Sequence, residues 1–166
     1  MLYVANYGNS FSAFQIDESG KIVQEVYNEA YGKGSNVVTD RQGDAHPHAV
    51  YIWYDFVFVV DLGADKIWRY RVTSENKGGK KQWKLEKSGS SDTPKGWGPR
   101  HMAVKQFTAY VIFELETKIG VYQINASSGE LIFQDAVPTV ENKGDVKLNV
   151  KQALFLTINF LSYPLI

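Results

Sequence analysis

The chemistry open to this chain lies in a few scattered side chains. His46 and His48 flank Pro47, and Arg100 and His101 follow Gly98-Pro99. Arg41-Gln42 precede the first histidine, while Asp61 and Glu114 each close an apolar run. An imidazole, with a pKa near ~6.5, suits proton transfer at neutral pH, and a carboxylate can share that work. A guanidinium grips phosphate or carboxylate through two parallel hydrogen bonds. Brought together, such a set suits the attack of water on an ester or a lactone. The residues are far apart in sequence, so the fold must collect them.

An internal repeat supplies the means. Leu2-Tyr3-Val4-Ala5-Asn6, Val57-Phe58-Val59-Val60-Asp61 and Ala109-Tyr110-Val111-Ile112-Phe113 are short strands that run into turns. Each is followed by a second alternating run, Phe11–Ile16, Ile67–Val72 and Ile119–Ile124, so the pairs read as hairpins. Ser19-Gly20 and Ser128-Gly129 then turn into another strand; in the middle copy this turn reads as swollen by Ser74 to Lys81. One more strand lies ahead of the second and third copies, at His48–Ile52 and His101–Val104. The copies start at 2, 57 and 109, spacings of 55 and 52 residues, a little above the ~40–50 of a four-stranded propeller blade. The expected fold is all-β: a β-propeller of four-stranded antiparallel blades, incomplete, with about three blades in one partial domain over residues 1–166. Beyond about Val140 the repeat fades, and 141–166 matches it poorly.

In an antiparallel blade the start of the first strand and the end of the second share a face. That rule puts His48 and His101 on one face with Asp61 and Glu114, joined by Arg100, around a channel mouth. The two histidines there read equally as proton carriers or as hydrogen-bonding braces between blades. A metal is not expected: there is no Cys and no third nearby His, and the rings of His46 and His48 are read as projecting to opposite faces.

Composition narrows the partners. Lys+Arg and Asp+Glu both number 18, so no strong field steers the chain onto nucleic acid or an anionic membrane. The absence of cysteine excludes a disulfide framework and a Cys nucleophile and fits a reducing, cytoplasmic setting. No signal peptide is read at the start. Ala153 to Ile166, broken by Asn159, Ser162 and Pro164, is too short for the ~20 residues of a membrane span. Gly32-Lys33-Gly34-Ser35 reads as a flexible inter-blade loop, since a phosphate loop needs a third Gly and a following helix. Lys77, Lys80, Lys81, Lys84 and Lys87 read as a solvated outer edge. Trp53, Trp68, Trp83 and Trp97 read as blade packing, with Trp97 also able to line a pocket.

At these residues the sequence resembles the lactonase family of seven-bladed β-propellers, which includes propeller-type 6-phosphogluconolactonases and fungal carboxymuconate-lactonizing enzymes. Leu2-Tyr3-Val4-Ala5-Asn6-Tyr7-Gly8 looks like the family's blade opening, and Arg41-Gln42-Gly43-Asp44-Ala45-His46-Pro47-His48 like its RQ..PHAH stretch. Phe58–Lys66 is close to FVADLGADK, Gly98-Pro99-Arg100-His101 to GPRH, and Tyr110–Leu115 to YV.NEL. The resemblance implies hydrolysis of a sugar lactone, 6-phosphogluconolactonase-like, with no cofactor or metal. It carries catalysis onto His48, Arg100 and Glu114: His48 or Glu114 activating water or relaying the proton, Arg100 holding a phosphate or the developing oxyanion. Arg41 and Gln42 would assist, with His46, Asp61 and His101 also meeting the substrate. Whether His46 or His48 is the working imidazole stays open, as do a carboxymuconate-type lactonizing activity and a non-enzymatic propeller that binds its partner at the same mouth. Departures are the His-Pro-His-Ala order, Phe113 where the family has Asn, and shortened turns near Tyr54-Asp55 and Lys105-Gln106. Three blades cannot close a ring, so a truncated form is expected, with little activity and poor solubility by itself.

Overall fold

A computed structural model describes residues 1–139; the expectation for 141–166 lies outside them. The first sheet holds β1 (Leu2–Asn6), β2 (Ser10–Ile16) and β3 (Ile22–Ala30). A single-turn helix, α1 (Thr39–Gln42), leads to β4 (Pro47–Trp53), β5 (Phe56–Asp61), β6 (Lys66–Lys77) and β7 (Lys80–Asp92) of the second sheet. The third comprises β8 (Pro99–Lys105), β9 (Thr108–Phe113), β10 (Lys118–Ile124) and β11 (Leu131–Pro138). Strand order follows chain order in each sheet and every pairing is antiparallel. The inner strands β4 and β8 lie side by side, β1 lies against β4, and β3 meets β7 further out. This is the radial stacking of propeller blades.

The middle sheet explains why β5 reads as an unbroken apolar run. Successive side chains of a strand point to opposite faces. Phe56, Phe58 and Val60 pack with Met102, Ala109, Val111 and Phe113 of the third sheet, and Val57 and Val59 pack with Phe11, Ala13 and Tyr31 of the first. Both faces of β5 are therefore core. Phe58→Ala is expected to destabilise the chain by about 3–5 kcal/mol, read from the denaturant midpoint, because neighbours on two strands cannot collapse into the space.

Two expectations need correction. Ser74 to Lys81 is not a swollen turn: β6 and β7 stay paired out to Lys77↔Lys80 as a long ribbon. Gly78 and Gly79 close it at φ of 59° and 76°, the pair of positive values that a two-residue type I′ turn requires. Nor is Gly32–Ser35 a flexible loop. A Cβ on Gly34 would lie 2.2 Å from the Gln42 carbonyl, and one on Gly63 2.0 Å from that of Asp44. Glycine is needed here for backbone to touch backbone between blades. The basic run is likewise not all solvated, since Lys87 pairs with Glu29 of the first sheet and lies 4.0 Å over the Trp68 ring. Among the described residues no helix is long and apolar enough to cross a membrane.

Candidate active site at the rim of the blades

Two β-bulges build the site. In β4, Pro47 pairs with Asp61 but Ala49 already pairs with Val60, leaving His48 outside the ladder. In β8, Pro99 pairs with Phe113 and His101 with Ile112, leaving Arg100. A bulge of this kind re-aims one side chain, and proline, which has no N–H for the ladder, is tolerated at the first strand position. His48 and Arg100 thus hold the same repeat position on adjacent blades, and Arg100 Nε donates to His48 Nε2 at 2.9 Å. His101 instead corresponds to Ala49. Its ring stands edge-on to His48 with centroids 5.0 Å apart, and its Nδ1 is 3.3 Å from the Tyr51 hydroxyl.

Glu114 follows β9 and is anchored by its N–H to the Gly98 carbonyl at 2.9 Å. Its side chain is only 7% exposed. One carboxylate oxygen lies 3.0 Å from Arg100 Nε, and the other accepts a hydrogen bond from Arg41 Nη2. Arg41, on α1, has its pKa raised by this bond to Glu114 against an opposing effect of burial, with the Tyr7 side chain adding to the rise. Arg41, His48, Arg100 and Glu114 come from four segments of the chain and form one connected polar rim.

Tyr7 borders this rim from the first blade. Its ring stacks on His46 at 4.5 Å and meets His48 edge-on at 5.8 Å. His46 Nδ1 donates to the Tyr7 carbonyl at 2.8 Å. Both histidine rings border one tyrosine, so the opposite-face expectation is corrected: alternate positions on an extended segment share a side. Among the described residues no group of three or more His, Cys, Asp or Glu is arranged to hold a metal ion.

The family described as "Lactonase, 7-bladed beta-propeller" matches residues 1–154. The chain belongs to the lactonase family of seven-bladed β-propellers. A 6-phosphogluconolactonase of Bacillus subtilis is 33% identical over 132 residues, 76% of this chain and 35% of that protein. One from Formosa agariphila is 33% identical over 130 residues, covering 74% and 35%. The solved structure of the Pseudomonas aeruginosa periplasmic gluconolactonase PpgL superposes with a TM-score of 0.71 at 26% identity, over 86% of this chain and 40% of the other. The chain therefore spans about a third of the length of the curated relatives it matches.

Within this lactonase chain, two expected substrate contacts lie beneath the rim. Asp61 is fully buried and accepts from the His46 N–H (2.7 Å), the Ala64 N–H (3.0 Å) and Trp68 Nε1 (2.9 Å). By register it is the counterpart of Phe113; Glu114 is matched by Leu62, and a one-residue offset turns a strand residue to the other face. Gln42 is also fully buried, its amide donating to the Leu62 carbonyl at 2.9 Å and to Asp65 at 2.8 Å. Both side chains are buried and spend their polar atoms on the protein itself. Trp97 packs edge-on against Phe113 at 5.1 Å, a core contact.

Sequence reasoning missed two residues. Tyr7 stands one position past its strand, as Glu114 does, so the repeat alignment could have found it. Asp65 carries no such signal. It is fully buried and accepts four hydrogen bonds, from Ser35 Oγ (2.7 Å), Gln42 Nε2 (2.8 Å), Gly96 N–H (2.7 Å) and Gly98 N–H (3.0 Å). This carboxylate ties the segment bearing Arg41 to the loop that leads into Arg100.

Burial, then the charge of Arg100 and the neighbouring His101, push the His48 pKa down to about 4, only partly opposed by Glu114. His101 is lowered for the same leading reasons, burial and then Arg100. His48 is thus neutral at pH 7. Because its folded pKa lies below the unfolded value of ~6.5, the unfolded chain binds more protons between about pH 4 and 6.5. Its contribution to stability is complete above that window and is lost as pH falls through it. An NMR titration of the His48 ring should show a midpoint near 4, moving upward in Arg100→Gln. A wild-type midpoint at the ordinary value would contradict the packing described.

Proposed function

We propose that the protein bearing these blades hydrolyses a sugar lactone of the 6-phosphogluconolactone type at this rim. The observation that carries the reading is the convergence of Arg41, His48, Arg100 and Glu114, from separate segments, into one hydrogen-bonded set. The names of the curated relatives support the substrate class. In the reaction, water oxygen bonds to the lactone carbonyl carbon, the ring C–O bond breaks, and the departing ring oxygen takes a proton to give the hydroxy acid. The terminal amino groups of Arg100 make no hydrogen bond among the described residues, leaving donors for the developing oxyanion or a substrate phosphate. The proton transfers fall to Glu114 and a rim imidazole. A cysteine-free sequence fits a reducing compartment, and the reading places the protein in the cytoplasm.

The test is acid release from 6-phosphogluconolactone by the protein with its full ring of blades, alongside Arg100→Ala and Glu114→Ala. Both variants should lose most of the rate. Unchanged rates in both would remove the enzyme reading and leave a binding role for the same mouth.

A further inference from the structure

We infer that His48 is a positioning residue: its Nε2 is the acceptor that fixes Arg100, and it does not take the proton from the attacking water. This rests on the lactone-hydrolase reading and assigns a role within the same site. Arg100 Nε carries a single hydrogen, directed to His48 Nε2 at 2.9 Å, with Glu114 Oε2 at 3.0 Å sharing its charge. A neutral imidazole has one accepting nitrogen, so with Nε2 occupied the ring hydrogen sits on Nδ1. His48 Nδ1 is buried and has no partner among the described residues. A general base needs a lone pair within reach of the water it deprotonates. His48 has none to offer while it holds Arg100, and a proton on Nε2 would set two N–H groups against each other.

The surroundings agree. The groups facing the His48 ring are Arg100, the edge-on ring of His101, the carboxylate of Glu114 and the edge of Tyr7. The free amino groups of Arg100 are the donors this corner turns outward, a match for an anionic or developing oxyanion group. Proton acceptance passes to Glu114 or to His101, whose Nε2 has no hydrogen-bond partner among the described residues.

The test compares His48→Gln with His48→Ala in the protein with its full ring of blades. A glutamine oxygen can accept from Arg100 Nε as the imidazole does, but it cannot serve as a base. His48→Gln should keep kcat within a few-fold of wild type and leave the acid limb of kcat/KM in place. His48→Ala should chiefly raise KM, by roughly tenfold, as Arg100 loses its brace. If His48→Gln instead drops kcat by the ~10²–10⁴-fold typical of a lost general base and abolishes the acid limb, the inference is overturned. The ¹⁵N shifts of the wild-type His48 ring give a readout free of activity and of variant folding. Protonated Nδ1 with bare Nε2 is the expected pattern, and the reverse tautomer would overturn the assignment even if no lactone is hydrolysed. Loss of activity in Arg100→Ala together with a dead His48→Gln would sink this inference alone; absence of wild-type hydrolysis would sink the lactonase reading.

Discussion

Arg100→Ala should lower kcat/KM for lactone hydrolysis by about 10²–10³-fold, the effect of removing one preorganised donor from a developing oxyanion. The loss should lie toward the upper end of that range because two neighbours depend on the same side chain. Among the described residues Glu114 then keeps only Arg41 as a cationic partner, and His48 loses the donor to its Nε2. Arg100→Lys should not restore the rate. An ammonium is a point charge that cannot bond His48 through Nε while presenting a planar pair of donors outward. Steady-state kinetics with circular dichroism as a fold control decides the matter. A change under threefold in Arg100→Ala would mean that the oxyanion or phosphate is held elsewhere.

Asp65→Ala should lower stability by about 3–5 kcal/mol by chemical denaturation, as much as removing the core ring of Phe58. The substitution strands one of the two Gln42 amide hydrogens, the other staying on the Leu62 carbonyl, and the Gly96 and Gly98 N–H groups, all buried, and each unsatisfied buried donor costs about 1–3 kcal/mol. Ser35 Oγ can turn to water and contributes less. Activity should fall as well, since the same carboxylate holds the loops of Arg41 and Arg100 in register. Asp65→Asn should fall between, because one amide oxygen can serve only part of the donor set. A loss below 1 kcal/mol in Asp65→Ala would show that water takes over the acceptor role.

The blade pattern was legible in the sequence because its signals are local. Val57-Phe58-Val59-Val60 reads as a short strand running into a turn, and the hairpins β1–β2, β5–β6 and β9–β10 lie where alternation put them. His48, Arg100 and Glu114 were marked out by type and by their place at strand ends. The burial of Asp61 was not legible, because sequence shows that a residue ends a strand but not which partner it faces; its register with Pro47 sends it inward. The Gly34–Gly63 contact and the four bonds of Asp65 join segments about 30 residues apart, and no local pattern announces them.

By itself, the sequence determined the repeating antiparallel sheets and the inventory of reactive groups, since period-two alternation and turn residues act over a few positions. Only the tertiary structure decided which groups meet. Bulges at His48 and Arg100 exist as a mismatch between two paired strands, and the approach of Tyr7, Arg41 and Glu114 depends on one sheet stacking against the next.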